Sequence, residues 1–231
     1  MQNNNSKPKI GTLSEKSLHA GIKKHLTQPG DQVEVPHSGF VIDIVRNQQF
    51  IEIQTGNFTA MKRKLKKLLP HHPIQLVYPL IVRRWIVRQT ATGETIKRRK
   101  SPLHGRPHDI FRELVYIPHF LDHPNLTITL LLIDEEQILR DDGQGSWRRR
   151  GWSLHDRQLL TIHEQIHLHR LPAYRRFLPD SLPSPFTTKD LSTTLKCRRD
   201  LAQKIAYTLK KAELIAHTGK QGRANLYTIM I

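Results

Sequence analysis

Cysteine, acidic residues and long apolar runs are all scarce in this sequence of 231 residues. The single cysteine, Cys197, excludes an intrachain disulfide and suits a reducing compartment, so we expect a cytoplasmic protein. No run approaches the roughly 18 apolar residues of a membrane span, and the amino terminus lacks the apolar stretch of a signal peptide. Against 20 Asp and Glu stand 37 Lys and Arg, which gives a formal net charge of +17. This imbalance predicts a polyanionic partner, with nucleic acid as the leading candidate.

The stretch TIHEQIHLHR at 161–170 contains the H-E-x-x-H signature of helical zinc peptidases, from His163 to His167. That signature requires a helix, on which residues four apart can share one metal ion. Apolar and polar residues alternate here instead, which predicts a strand. On a strand the two histidines would lie roughly 13 Å apart. We therefore do not expect a zinc peptidase.

The periodicity of the first 133 residues predicts an α/β domain. A helix should begin near Ser14, which can cap it, and a second, basic helix should span 58–69. Strands are expected at 32–35, 40–45, 49–55, 74–82 and 126–133. The short link 46–48 suits an antiparallel hairpin, and 49–82 suits a right-handed strand–helix–strand crossover. A hairpin turning near Thr92 and a helix over 108–120 complete the prediction.

Two acids interrupt the apolar hairpin strands. Alternation places Asp43 with Val41 and Val45 on one strand face, and Glu52 with Phe50 on the facing strand. Two buried, opposed carboxylates are unfavourable unless a cation or a proton lies between them. Magnesium suits such a pair, because it binds one or two carboxylates and otherwise water and phosphate oxygens. The alternative is that both acids lie exposed at a sheet edge and pair with Lys or Arg.

The order IDI, then EIQ, with the Glu nine residues after the Asp and a basic helix behind the hairpin, resembles the PD-(D/E)XK nuclease superfamily. The resemblance covers roughly residues 11–82. It implies that Asp43 and Glu52 bind Mg²⁺ or Mn²⁺, that Gln54 orients the attacking water or the phosphate, and that Glu15 assists the metal. Two positions depart from the pattern: Ile42 replaces a proline, and Gln54 replaces the usual lysine. A glutamine amide positions water but carries no charge, although the superfamily includes active members with this residue.

The resemblance also implies the architecture. We expect a restriction-endonuclease-like α/β/α sandwich with a mixed sheet, over 13–178, behind a flexible segment at 1–12. The composition changes near Pro179, so 179–185 reads as a linker into a separate unit at 186–231.

The carboxyl-terminal unit resembles a winged helix-turn-helix. Thr187 or Thr188 can cap a short helix, a second helix is expected from about Arg199 to Ala212, and two strands flank a basic turn at 219–223. Nine basic and three acidic residues in this unit suit DNA. The second helix of such a unit enters the major groove, and its wing reaches phosphates or the minor groove. The DNA contacts we expect are Arg198, Arg199, Gln203, Lys204, Lys220 and Arg223 here, and Lys62, Arg63 and Lys66 on the helix at 58–69.

Together these features predict a metal-dependent DNA endonuclease that a winged helix delivers to duplex DNA. The alternative from another class is a non-catalytic DNA-binding regulator that uses a degenerate nuclease fold as a scaffold. A factor that cuts only with a partner would have the same sequence features, and a homodimer and another protein both stay open as that partner. We expect DNA rather than a membrane as the ligand, although a basic amphipathic helix also suits anionic lipid. RNA remains an alternative because phosphate attraction alone does not discriminate.

Overall fold

The described residues of this computed structural model are 13–145, 147 and 151–230, with the backbone alone for 13–16. The segment expected to be flexible, 1–12, lies outside them. The elements in chain order are α1 (Leu13–Leu26), β1 (Gln32–His37), β2 (Phe40–Arg46), β3 (Gln49–Ile53), α2 (Phe58–Leu68), β4 (Ile74–Gln89), β5 (Thr95–Lys100), α3 (Phe111–Leu114), β6 (Leu126–Asp141), β7 (Trp152–His169), α4 (Thr188–Thr194), α5 (Arg199–Lys211), β8 (Ile215–Gln221) and β9 (Ala224–Ile229).

Seven of these strands form one mixed sheet in the order β1-β2-β3-β4-β6-β7, with β5 paired to β4. The first three strands pair antiparallel, and β3 pairs parallel with β4 after α2. A parallel neighbour requires a crossover, which α2 supplies. The predicted α/β class with a mixed sheet is confirmed.

The hairpin between β2 and β3 turns on two residues with left-handed backbone. Asn47 has φ 46° and Gln48 has φ 70°. Positive φ at both central residues matches the twist of an antiparallel pair, as in a type I′ turn. This turn fixes the register Val45–Phe50 and Ile44–Ile51. The next facing positions along the two strands are Asp43 and Glu52.

The chain divides into two compact units, each assembled from three segments. The first contains the described residues up to Thr27, then Ile81–Gly105 and Leu132–Glu164. The second contains Gln28–Leu80, Arg106–Leu131 and the described residues from Gln165 onward. The linker predicted at 179–185 lies inside the second unit, and the predicted domain limits remain a prediction.

The first unit has a polar interior along β6. Glu135 is fully buried and pairs with both Arg84 and Arg157. Asp134 is almost as buried and pairs with Arg83 at 2.6 Å and with His163 at 2.9 Å. Buried carboxylates require such partners, because an unpaired buried charge is strongly unfavourable.

The second unit has an apolar core. Its fully buried side chains include Phe58, Leu65, Phe111 and Tyr174. On α2 the buried residues Phe58, Met61, Leu65 and Leu68 recur at helical spacing, as the sequence predicted.

Two sequence predictions have different outcomes in the segments that follow. The strand predicted over the H-E-x-x-H stretch is confirmed, since β7 runs through both histidines. The helix predicted over 108–120 is wrong as one element. The structure has a 3-10 turn at Pro107–Ile110, the short α3, and a second 3-10 turn at Pro118–Phe120. Proline cannot donate a backbone hydrogen bond, so Pro118 prevents a continuous helix through this stretch.

The carboxyl-terminal elements follow the predicted order. Thr187 caps α4, with its hydroxyl accepting from Asp190 N and the Asp190 carboxylate accepting in return, which is a capping box. Strands β8 and β9 form a two-stranded sheet, and Phe186 makes an isolated bridge to Tyr227. No helix among the described residues is long and apolar enough to cross a membrane.

Candidate nuclease site and nucleic-acid interface

The Asp43 carboxylate lies at the end of the paired stretch of β2. Its Oδ2 accepts a hydrogen bond of 2.8 Å from the Ile53 backbone N–H on β3. This contact ties Asp43 to the residue that follows Glu52. The structure therefore brings the two predicted metal ligands to one position in the hairpin.

Glu52 is buried, with 5% of its surface exposed. Burial raises the pKa of the Glu52 carboxyl from its ordinary value of 4.5 to about 7, and the nearby charge of Asp43 adds to the rise. Hydrogen bonding and the charge of Lys64 oppose this rise. Among the described residues, nothing donates a hydrogen bond to Glu52 Oε1. A buried carboxylate oxygen in this state can accept a cation or a proton.

Lys64 of α2 supplies the cation beside the two acids. Its Nζ lies 2.5 Å from Glu52 Oε2 and donates to the Val41 carbonyl oxygen at 2.6 Å. The Lys64 side chain is 12% exposed. It also lies over the Phe40 ring, with Nζ 5.9 Å from the ring centroid. A positive charge is therefore fixed next to the paired carboxylates.

Of the two other predicted catalytic residues, the structure describes the side chain of Gln54 but not that of Glu15. Gln54 follows β3, and its side-chain amide nitrogen donates to the Gly56 carbonyl oxygen. Its backbone N–H donates to Val77 at 2.9 Å, which continues the pairing towards β4. Glu15 belongs to α1, but its side chain lies outside the part of the chain that the structure describes.

The amino terminus of α2 is held by an acid from another element. Glu113 of α3 accepts a hydrogen bond of 2.9 Å from the Phe58 N–H at the first turn of α2. The N-cap residue of α2, Asn57, makes no side-chain capping hydrogen bond. Glu113 thus satisfies one of the free N–H groups that every helix start exposes.

The cations predicted on α2 to contact DNA point outward. Lys62, Arg63 and Lys66 are exposed. Arg63 lies over the Phe40 ring at 5.5 Å. The next lysine, Lys67, donates to the Ser38 carbonyl oxygen at 2.7 Å and so supports the turn between β1 and β2.

The carboxyl-terminal elements enclose an open groove of about 360 Å³ between α5 and β9. Three predicted DNA contacts line it: Arg199, Gln203 and Arg223. Tyr207 and Lys210 line it as well, and Tyr207 is 48% exposed. Three further predicted contacts do not line this groove: Arg198 is the exposed N-cap residue of α5, Lys204 is half-buried on that helix, and Lys220 is exposed on β8.

Residues of α3 and the turn before it fix the position of α5. Arg112 pairs with Asp200 at 2.9 Å, and Arg106 donates to the carbonyl oxygens of Leu195 and Lys196 at 3.0 and 2.9 Å. These bonds hold the turn between α4 and α5, from which Arg199 projects.

Comparison with known proteins places the chain in one family. Residues 16–169, well over half of the chain, match a family described as Domain of unknown function (DUF8091). The chain belongs to the DUF8091 family. This DUF8091 protein is also similar to an uncharacterized protein of Treponema pallidum (strain Nichols), with 31% identity over 222 residues that cover 94% of this chain and 86% of the relative. No solved structure matches the chain.

Sequence reasoning missed Lys64 as a site residue of this DUF8091 protein. A signal for it existed: on α2 it lies three residues after Met61 and four before Leu68, both buried, so helical spacing places it at the border of the apolar face. Glu113 and Tyr207 left no comparable signal, because their roles depend on packing between segments far apart in the chain.

Proposed function

We propose that this chain is a metal-dependent DNA endonuclease that hydrolyses phosphodiester bonds at the site formed by Asp43, Glu52 and Lys64. One observation carries the proposal: two carboxylates and a nearly buried lysine meet where β2, β3 and α2 adjoin, and one buried oxygen of Glu52 has no hydrogen-bond donor among the described residues. Such strongly perturbed groups are typical of functional sites.

The finer fold assignment belongs to the same proposal. The order α1, three antiparallel strands, α2 and a strand parallel to β3 is consistent with the restriction-endonuclease-like fold that the sequence resembles. The elements α4, α5, β8 and β9 are consistent with a winged helix-turn-helix. A cytoplasmic location, in keeping with the single Cys197, also remains part of the proposal.

The residues present fit a magnesium or manganese ion. Asp43 and Glu52 would hold it, and the described residues contain no group of three or more His, Cys, Asp or Glu arranged as ligands. Two carboxylates suffice for magnesium, which keeps several waters and phosphate oxygens in its shell. When bound, the ion would supply an activated water and neutralise charge at the phosphodiester.

The chain's own residues then have distinct tasks. Lys64 holds Glu52 Oε2 and provides the positive charge that Gln54 cannot. Gln54, whose amide nitrogen donates to the Gly56 carbonyl oxygen, would orient the attacking water or the phosphate beside the two acids. The exposed cations Lys62, Arg63 and Lys66, and those around the α5–β9 groove, bind the DNA backbone through phosphate contacts.

The non-catalytic regulator has one observation in its favour. Lys64 already neutralises Glu52, so the acids are stable as a plain buried ion pair beside a hydrogen-bonded Asp43. In that case the α5–β9 groove would bind the DNA, and Asp43 and Glu52 would be remnants of an ancestral nuclease site.

The deciding experiment incubates the purified protein with supercoiled plasmid and with linear single strands, each with magnesium, manganese or a chelator. We expect metal-dependent nicking by the parent protein, loss of nicking in Asp43→Ala and Glu52→Ala, and retention in Glu94→Ala, an exposed acid elsewhere. An Arg199→Ala variant reports on DNA binding.

The outcomes separate the two functions. Nicking that survives both site substitutions would identify a contaminating nuclease. No nicking, with DNA binding unchanged in Asp43→Ala and Glu52→Ala and weakened in Arg199→Ala, would favour the regulator.

A further inference from the structure

The hairpin of β4 and β5, which lies in the first unit, has two chemically different faces. The register pairs Arg88 with Lys97 and Ile86 with Arg99, so these four side chains share one face. Trp85 pairs with Lys100 and Val87 with Arg98, and they share the opposite face.

Acids of β6 neutralise two of the cations on the Trp85 side. Arg98 pairs with Glu136 at 2.7 Å, and Arg83, two residues before Trp85, pairs with Asp134. The Trp85 ring also lies near both guanidinium groups, at 5.8 Å from Arg83 and 5.3 Å from Arg98. Two of the three cations on this side, Arg83 and Arg98, are therefore locally compensated, whereas Lys100 has no ion pair among the described residues.

On the other face Arg84 pairs with Glu135, but the cations further along the hairpin lack such compensation. Within the described residues, no carboxylate lies within 4.0 Å of the cations Arg88, Lys97 or Arg99, which we call the β4–β5 cation face. All three residues are exposed. Together with Ile86 they line a small groove of about 80 Å³. The Arg88 guanidinium stacks on the Trp152 ring at 4.9 Å, which holds it in place.

Three adjacent like charges on one strand pair are destabilising without a counter-charge. Arg88 and Lys97 are directly opposite each other, and Arg99 is two residues from Lys97, about 7 Å along the strand. An anion that spans several ångströms and offers more than one charge would remove this repulsion. A nucleic-acid backbone has that form, with regularly repeated phosphates that guanidinium groups bind in bidentate fashion.

We propose that the β4–β5 cation face binds the phosphodiester backbone of DNA, as a second contact surface besides the α5–β9 groove. The proposal rests on the proposed function only for the choice of DNA, and it does not require catalysis. An anionic membrane is the less suitable occupant, since stable binding there needs buried apolar area and Ile86, the apolar residue among those that line the groove, is half-buried.

The test measures binding of a labelled mixed-sequence DNA duplex to the full chain by fluorescence anisotropy, across a range of salt and with a chelator present. The chelator prevents cutting, so failure of the nuclease proposal does not affect the result. The variant is Lys97→Ala/Arg99→Ala. Its matched control is Arg98→Ala/Lys100→Ala, which removes the same formal charge from the other face of the same strand.

Each phosphate contact contributes about 0.9 to the slope of log affinity against log salt. We expect the slope of the Lys97→Ala/Arg99→Ala variant to become shallower by about 2. The slope of the Arg98→Ala/Lys100→Ala control should become shallower by less than half as much. An unchanged slope in the variant, or an equal loss in the control, overturns the proposal.

Two further measurements, amine labelling and vesicle binding, complete the test. Amine-reactive labelling of the parent protein should show that DNA protects Lys97 more than Lys100, which requires no variant to fold. Equal protection contradicts the proposal. Vesicles of anionic phospholipid form the second arm: if the Lys97→Ala/Arg99→Ala variant loses vesicle binding while its DNA slope stays unchanged, the face is a membrane surface instead.

Discussion

Lys64 and its neighbours on α2 have opposite surroundings despite their similar chemistry. Lys64 is nearly buried against Glu52, whereas Lys62 and Lys66 are exposed on the same helix. The basic letters alone do not show which lysine turns inward, but helical spacing from Met61 and Leu68 already places Lys64 at the border of the apolar face of α2. The acids were predictable because alternation on two short strands already opposed them, whereas the contact between Lys64 and Glu52 depends on the position of β3.

This difference predicts separable kinetic effects. Lys64→Gln should lower the single-turnover cleavage rate by about a hundredfold or more, as removal of one positioned charge stabiliser does in other enzymes. Its DNA affinity should change little. The controls Lys62→Gln and Lys66→Gln should weaken DNA binding and leave the rate at saturation intact. Equal rate losses in all three variants would show that Lys64 is only another backbone contact.

The raised pKa of Glu52 predicts an unusual pH dependence of stability. Between pH 4.5 and about 7 the unfolded chain ionises this carboxyl while the folded chain keeps it protonated. The unfolded state therefore binds fewer protons in this window, and stability falls as pH rises. Below pH 4.5 and above about 7 both states carry the same charge at this position and the dependence ends.

Glu52→Gln isolates this effect, because an amide does not titrate. In denaturant titrations with a chelator, the unfolding free energy of the parent should fall relative to the variant by up to roughly 3 kcal/mol across the window. A difference between the two proteins that stays constant from pH 4.5 to 7 would contradict the assignment.

At the scale of elements, the sequence located most strands and helices because local periodicity determined them. Strand β2 alternates, with Ile42 and Ile44 buried between less buried neighbours, α2 repeats its apolar residues at helical spacing, and Thr187 caps α4 as predicted. The helix prediction over 108–120 failed because its apolar residues have helical spacing but Pro118 breaks the hydrogen-bond ladder. The assembly of the two units was not predictable, since their segments alternate along the chain.

The Glu113 contact predicts how α2 is stabilised. Glu113→Ala should remove the acceptor for the Phe58 N–H and lower the unfolding free energy by about 1 kcal/mol, the usual effect of losing a helix cap. Glu113→Gln keeps an oxygen acceptor, so its unfolding free energy should fall by less. The measurement is the urea midpoint at unchanged m value, and equal losses in the two variants would indicate that the charge alone matters.

For the whole molecule, the proposed site couples metal binding to stability. Magnesium or manganese at about a hundred times its dissociation constant should stabilise the folded chain by about 2.7 kcal/mol, measured as a rise in the thermal midpoint that a chelator reverses. Asp43→Ala should abolish the rise, because it removes one of the two proposed ligands. A midpoint shift of the same size in that variant would place the metal elsewhere.

The alternating segments also have a consequence for how the protein is made. The first unit lacks its last segment until Glu164 has been synthesised, and by then both earlier segments of the second unit have been synthesised as well. At roughly 5–20 residues per second, β4 exists for several seconds before β6 can join it. Neither unit can be expressed as one contiguous fragment, because segments of the other unit interrupt each of them, and β4 must remain without its β6 neighbour during this interval.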